Sequence, residues 1–102
     1  MPSLEKTPAV LYLLIYGTTA EKTSERQELF TSHKRGKRRA SELVKLWSSK
    51  PNSVQSGSVR SGEVLITVGD ETYFVRLSEV VDPHSRKMLW RMWKQAEGDA
   101  HE

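Results

Sequence analysis

The sequence predicts an α+β fold: a small three- to four-stranded, mainly antiparallel sheet covered by helices, in the order β-α-α-(β)-β-β-α. Three observations predict it. An eight-residue apolar run, Ala9-Val10-Leu11-Tyr12-Leu13-Leu14-Ile15-Tyr16, stands between Pro8 and Gly17. Two short segments rich in β-branched and aromatic residues flank Gly69-Asp70-Glu71. Apolar residues recur at helical spacing in 40–47 and again in 88–96.

The first run is short and partly β-branched, which fits a strand buried on both faces near the middle of a sheet. A polar connection follows. Ser24-Glu25-Arg26-Gln27 then has the form of a capping box, with the serine hydroxyl positioned to accept from the amide three residues on. It predicts a helix over about 25–35, with Leu29 and Phe30 as its apolar side; Gly36 is either its stop or a residue carried inside one longer helix at about 1 kcal/mol against alanine. A second helix is marked by Ala40, Leu43, Val44 and Trp47 at i, i+3, i+4 and i+7. Glu42 is four residues after Arg38, the spacing of an ion pair on a helix surface. Pro51 excludes Lys50 from helical geometry, so this helix ends near Ser49.

Residues 48–62 are rich in serine and glycine, and read as a mobile loop containing at most a short edge strand at 53–60. Beyond it, Glu63–Val68 and Thr72–Leu77 form a β-hairpin. Val64, Ile66 and Val68 share one face with Tyr73, Val75 and Leu77. Asp82-Pro83 then opens the last helix, with aspartate at the cap and proline in the first turn. Met88, Leu89, Met92, Trp93 and Ala96 form the side expected to meet the sheet, and residues 98–102 are expected to fray.

A chain of 102 residues forms a single domain, 1–102. It contains no cysteine, which removes disulfides, thiolate metal ligands and cysteine nucleophiles together. The apolar run is far below the roughly 20 residues a spanning helix needs. Glu5 beside Lys6 ahead of it, and Gly17-Thr18-Thr19-Ala20 after it, make poor flanks for a signal peptide. The expected setting is cytoplasmic, with no membrane partner, or nuclear in a eukaryotic host.

The charge distribution carries the functional signal. Lys34-Arg35-Gly36-Lys37-Arg38-Arg39 holds five of the sixteen basic residues. From Thr31 to Lys50, Lys45 and Lys50 join that run against Glu42 alone, a net of +6 in a chain whose total is +3. Everything outside the window therefore sums to −3. A concentrated positive field attracts polyanions in a way that an evenly mixed surface does not. A second cluster lies on the last helix, where Arg86, Trp90 and Lys94 share a face beside Lys87 and Arg91. On this pattern Trp90 sits among cations, placed for stacking on bases or for cation–π contact with its neighbours; the alternative is that it caps the core edge or packs on the mobile loop, since most tryptophans are largely buried.

These features predict a small non-enzymatic protein that binds DNA or RNA. The proposed contacts are Lys34, Arg35, Lys37, Arg38, Arg39 and Lys45, assisted by Arg86, Lys87, Trp90, Arg91 and Lys94. The alternative is an accessory or inhibitor module that docks an acidic protein surface, with Trp90 as its anchor. A homodimer is compatible with either. Two helices meeting at Gly36 before a hairpin have the order of a helix-turn-helix with a wing, but a strand precedes both helices and the leading helix is missing. Lys-Arg-x-Lys-Arg-Arg also fits a nuclear-localisation pattern.

Catalysis and cofactors are not indicated. His33 and His84 would be the acid–base pair of a nuclease, with Lys34 beside an oxyanion, yet nothing in their spacing selects that chemistry. Gly57-Ser58-Val59-Arg60-Ser61-Gly62 lacks the strand-to-helix context of a phosphate loop, and no His or carboxylate pair has metal-ligand spacing.

Overall fold

The architecture is built outward from β1 (Leu11–Thr18), in a computed structural model that describes the backbone of residues 7–100 and the side chains of residues 7–21 and 23–96. β1 pairs antiparallel with β2 (Arg26–Phe30) on one side and with β5 (Glu71–Val80) on the other. Leu11 and Leu14 face opposite sides of the sheet and are both 0% exposed, so the strand is buried on both faces. β5 continues to β4 (Glu63–Val68), and β4 to β3 (Val54–Ser58). The result is a five-stranded antiparallel sheet in the order β2-β1-β5-β4-β3. The α+β class is as the sequence predicts; the strand number and element order differ.

The first difference is at residues 25–35. No helix begins at Ser24. Its hydroxyl donates to the Glu21 carbonyl at 2.6 Å and accepts from the Thr18 amide at 3.0 Å, closing a 3-10 turn at Lys22–Ser24. Residues 26–30 then return along β1, with Tyr12 opposite Phe30 and Leu14 opposite Glu28. The helical propensity of this segment is weak against the open edge of a buried strand, whose amides and carbonyls need partners.

The second difference follows from the first. The predicted helix junction does not exist: α1 runs unbroken from His33 to Ser48 and contains the whole basic run. Its cap is Ser32, whose side chain accepts from the Arg35 amide. Gly36 takes the second of its two expected places, inside one longer helix, and is buried in the first turn. A Cβ there would lie 3.2 Å from Leu77 Cδ1 and 3.6 Å from Phe30 Cδ2, so the missing side chain permits close approach to the sheet. Ala40 and Leu43 continue that line into a core with Leu14, Val64, Ile66 and Val75. Val44 and Trp47 flank it, as their spacing predicts.

Residues 48–62 are more ordered in pattern than a bare loop. They hold β3, whose five residues are all exposed at the sheet edge, and a turn that returns Val59 to the core. The β4–β5 hairpin closes on Gly69-Asp70, with Val68 opposite Glu71 and Gly69 at φ 63°. Val64 and Ile66 meet Val75 and Tyr73 on the α1 side, so the faces are as the sequence groups them, while the turn is one residue shorter than expected because Glu71 pairs with Val68.

α2 (Pro83–Ala100) starts where the sequence places it, with the Asp82 carboxylate accepting from the Ser85 amide at 2.9 Å. It lies on the sheet face opposite α1. There Leu13 and its partner Leu29 join Leu89, Met92 and Trp93 around an open groove of about 410 Å³. Docking is partial, since Met88 and Met92 remain 51% and 60% exposed. The helix continues through Ala100, past the start of the expected frayed tail; His101 and Glu102 are outside the described residues.

The close approach at Gly36 gives a direct test. Gly36→Leu keeps good helix propensity but forces a side chain into Leu77 and Phe30. It should lower stability by about 1–3 kcal/mol in urea unfolding. Gly36→Ala should stay near the parent, because the Leu77 tip can shift and alanine gains about 1 kcal/mol in helix propensity.

Candidate nucleic-acid interface

The six α1 candidates divide into two groups. Lys34, Arg35, Lys37, Arg38 and Lys45 are exposed, and none of them takes part in the ion pairs found among the described residues. Arg39 is different. It is half-buried and turns toward the β2 edge, where its Nε lies 3.1 Å from Glu28 Oε1 and its Nη2 3.2 Å from Oε2. Its Nη1 reaches Glu42 at 3.4 Å, so Glu42 pairs with Arg39 three residues away and not with Arg38. The guanidinium also lies 5.8 Å from the Tyr16 ring centroid, and the Tyr16 hydroxyl donates to Glu28 at 2.6 Å. Arg39 is therefore a clamp between α1 and the sheet.

This Tyr16–Glu28–Arg39 cluster is not legible in the sequence. Local pattern places Glu28 in a helix, and only the β1–β2 register brings it opposite Leu14 and under α1. The cluster shifts its own titrations. Burial works against the Glu28 charge, but hydrogen bonds from Arg39 and Tyr16, with the Arg39 charge, hold the carboxyl below its ordinary 4.5. Burial, and then donation to Glu28, raise the Tyr16 phenol above its ordinary 10.0. Arg39 is held more firmly charged by its hydrogen bond to Glu28.

At the start of α1, His33 stacks on Tyr12 with ring centroids 4.9 Å apart. Farther along, Trp47 is enclosed under the helix between Tyr73 at 4.7 Å and Tyr16 at 6.2 Å. The exposed side of the basic helix thus carries cations and Ser41, with Glu42 and the exposed Leu46 on one flank, and its aromatic neighbours are engaged with each other.

The α2 candidates are less uniform. Arg86 is half-buried and used in structure: its Nη1 donates to the Pro8 carbonyl at 2.6 Å and its Nε to the Val81 carbonyl at 3.0 Å. Lys87 and Arg91 are exposed. Trp90 combines two of the expected placements, partial burial and contact with a neighbouring cation. It is half-buried against Trp93, with centroids 5.2 Å apart, and its buried indole Nε1 has no hydrogen-bond partner. Lys94 lies over both rings, at 5.0 and 5.5 Å from their centroids. Among the uses the sequence offers for Trp90, the internal cation–π contact is observed.

The two clusters share one end of the sheet but not one face. Leu11 pairs with Val80, Tyr12 pairs with Phe30, and His33 stacks on Tyr12, so both helices start at that end. α1 then lies over the Leu14 face and α2 over the Leu13 face.

No group of three or more His, Asp or Glu side chains among the described residues is arranged to hold a metal. No described helix is long and apolar enough to cross a membrane. No family model matches the chain, and neither a curated protein nor a solved structure matches it.

The Glu28 cluster predicts a specific pH dependence. Its folded-state value is the lower one, so the unfolded chain takes up the proton first as pH falls. The contribution is complete well above pH 4.5 and is lost as pH drops through the depressed value; that of Tyr16 is complete below pH 10 and is lost above it. Glu28→Gln should cost about 1 kcal/mol at neutral pH, given the partial exposure of the pair. It should also flatten the acid limb of stability against pH in urea titrations. An unchanged acid limb would assign the linkage to another group.

Proposed function

We propose that this protein binds nucleic acid, without catalysis, through the exposed cations of α1. The observation that carries the reading is that Lys34, Arg35, Lys37, Arg38 and Lys45 are exposed on one helix and stand outside every ion pair seen among the described residues.

Electrostatics within the helix support it. The first turn has no acidic residue, so its cations oppose the helix dipole, at about 0.3–1 kcal/mol each. Lys34 with Lys37 and Arg38, and Arg35 with Arg38, add like-charge neighbours at i+3 and i+4, each about 0.2–0.5 kcal/mol unfavourable. A polyanion laid along the helix relieves both terms. The rest of the chain is net negative, which favours approach in one orientation.

The measurement is affinity for duplex and single-stranded nucleic acid over a salt series. Binding should be clear at low salt and fall steeply as salt rises. Replacing Lys34, Arg35, Lys37 and Arg38 together by Gln should reduce the slope of log K against log salt by about 3, because each neutralised phosphate contributes about 0.7–0.9 to that slope. Arg39 stays in place because its removal would loosen α1. Absence of binding at low salt, or an unchanged slope, removes the proposal and leaves the acidic-protein partner as the use of this face.

A further inference from the structure

Building on the nucleic-acid reading above, we infer that the occupant of this face is B-form duplex DNA, with α1 lying in the major groove. α1 is the helix that covers its face of the sheet, and Gly36, Ala40, Leu43, Val44 and Trp47 hold it there. Its far side stands clear. Lys34, Arg38, Ser41 and Lys45, at i, i+4, i+7 and i+11, form an exposed stripe along the outward surface. From Lys34 to Lys45 the stripe is about 16 Å long at 1.5 Å per residue. A helix with side chains is about 10–12 Å across, matching a B-DNA major groove about 12 Å wide.

Arg35 and Lys37 are exposed on the two flanks of this stripe, where they face the phosphate walls on either side of a groove-bound helix. Glu42, on the Arg35 flank, is engaged by Arg39. Arg38 and Ser41 have the donors needed for base edges, arginine for guanine O6 and N7 and serine for several partners.

Two alternatives fit the surface less well. Single-strand binding relies on aromatic platforms, and here Trp47 is enclosed between two tyrosines while Tyr12 is stacked on His33. Duplex RNA has a major groove too deep and narrow for side chains to read.

The test compares three probes of one sequence at equal salt: a 20-base-pair duplex DNA, the corresponding duplex RNA, and the single DNA strand, each followed by fluorescence anisotropy. Duplex DNA should bind about tenfold more tightly than either of the others, and guanine N7 should be protected from methylation in the complex. Ser41→Glu, at an exposed position outside the core, should weaken duplex binding about tenfold with an unchanged melting temperature. Equal or tighter binding of the single strand or duplex RNA, still dependent on the α1 cations, overturns the duplex inference and leaves the nucleic-acid reading standing. Unprotected N7, or full binding by a folded Ser41→Glu variant, overturns the major-groove placement. No binding of any probe at low salt overturns both readings.

Discussion

The close approach of α1 to the sheet at Gly36 is the constraint on which the rest depends. A helix laid over a twisted sheet is held at a distance set by its contacting side chains. Here the contact line is Gly36, Ala40 and Leu43, two of them among the smallest residues available. That brings the helix down onto Leu77, Phe30, Leu14 and Val75, and fixes its rotation about its own axis. Once the rotation is fixed, the direction of every other α1 side chain is fixed with it. The cations face water because the small residues do not.

A second contact reinforces the same rotation. Arg39 is one residue before Ala40, on the side toward the β2 edge, and Glu28 and Tyr16 hold it there. The five-cation run is thus not one motif. Four of its members carry field into solvent, and the fifth joins the helix to the sheet. A similar division applies on α2, where Arg86 ties the helix start to Pro8 while Lys87 and Arg91 remain exposed. The second cluster therefore does not extend the first into one continuous surface. The two flank the same end of the sheet from opposite faces, and the α1 stripe is a surface of its own.

Periodicity reads well where one physical signal dominates. β1, the β4–β5 hairpin, the core face of α1 and the Asp82 cap are all legible, because each depends on residues close together in sequence. The failures share one cause. Arg26 to Phe30 has an ordinary helix-forming composition and a serviceable cap in Ser24, yet it is a strand because β1 has an open edge that needs pairing. Gly36 has the character of a helix terminator because nothing nearby in sequence shows that Leu77 lies against it. A helical wheel exposes Trp90, but Trp93 and Lys94 enclose it.

The sequence alone determined that the chain is one α+β domain, that its positive charge is concentrated near one helix, and that the apolar side of that helix belongs to the core. Those properties follow from composition and from spacing within single elements. Tertiary structure decided which cations are available and which are structural, because pairing across the sheet, and not spacing along the helix, brings Glu28 to Arg39. It also decided that the basic run lies on one continuous helix, since the space left by Gly36 is filled by a residue forty-one positions away, Leu77.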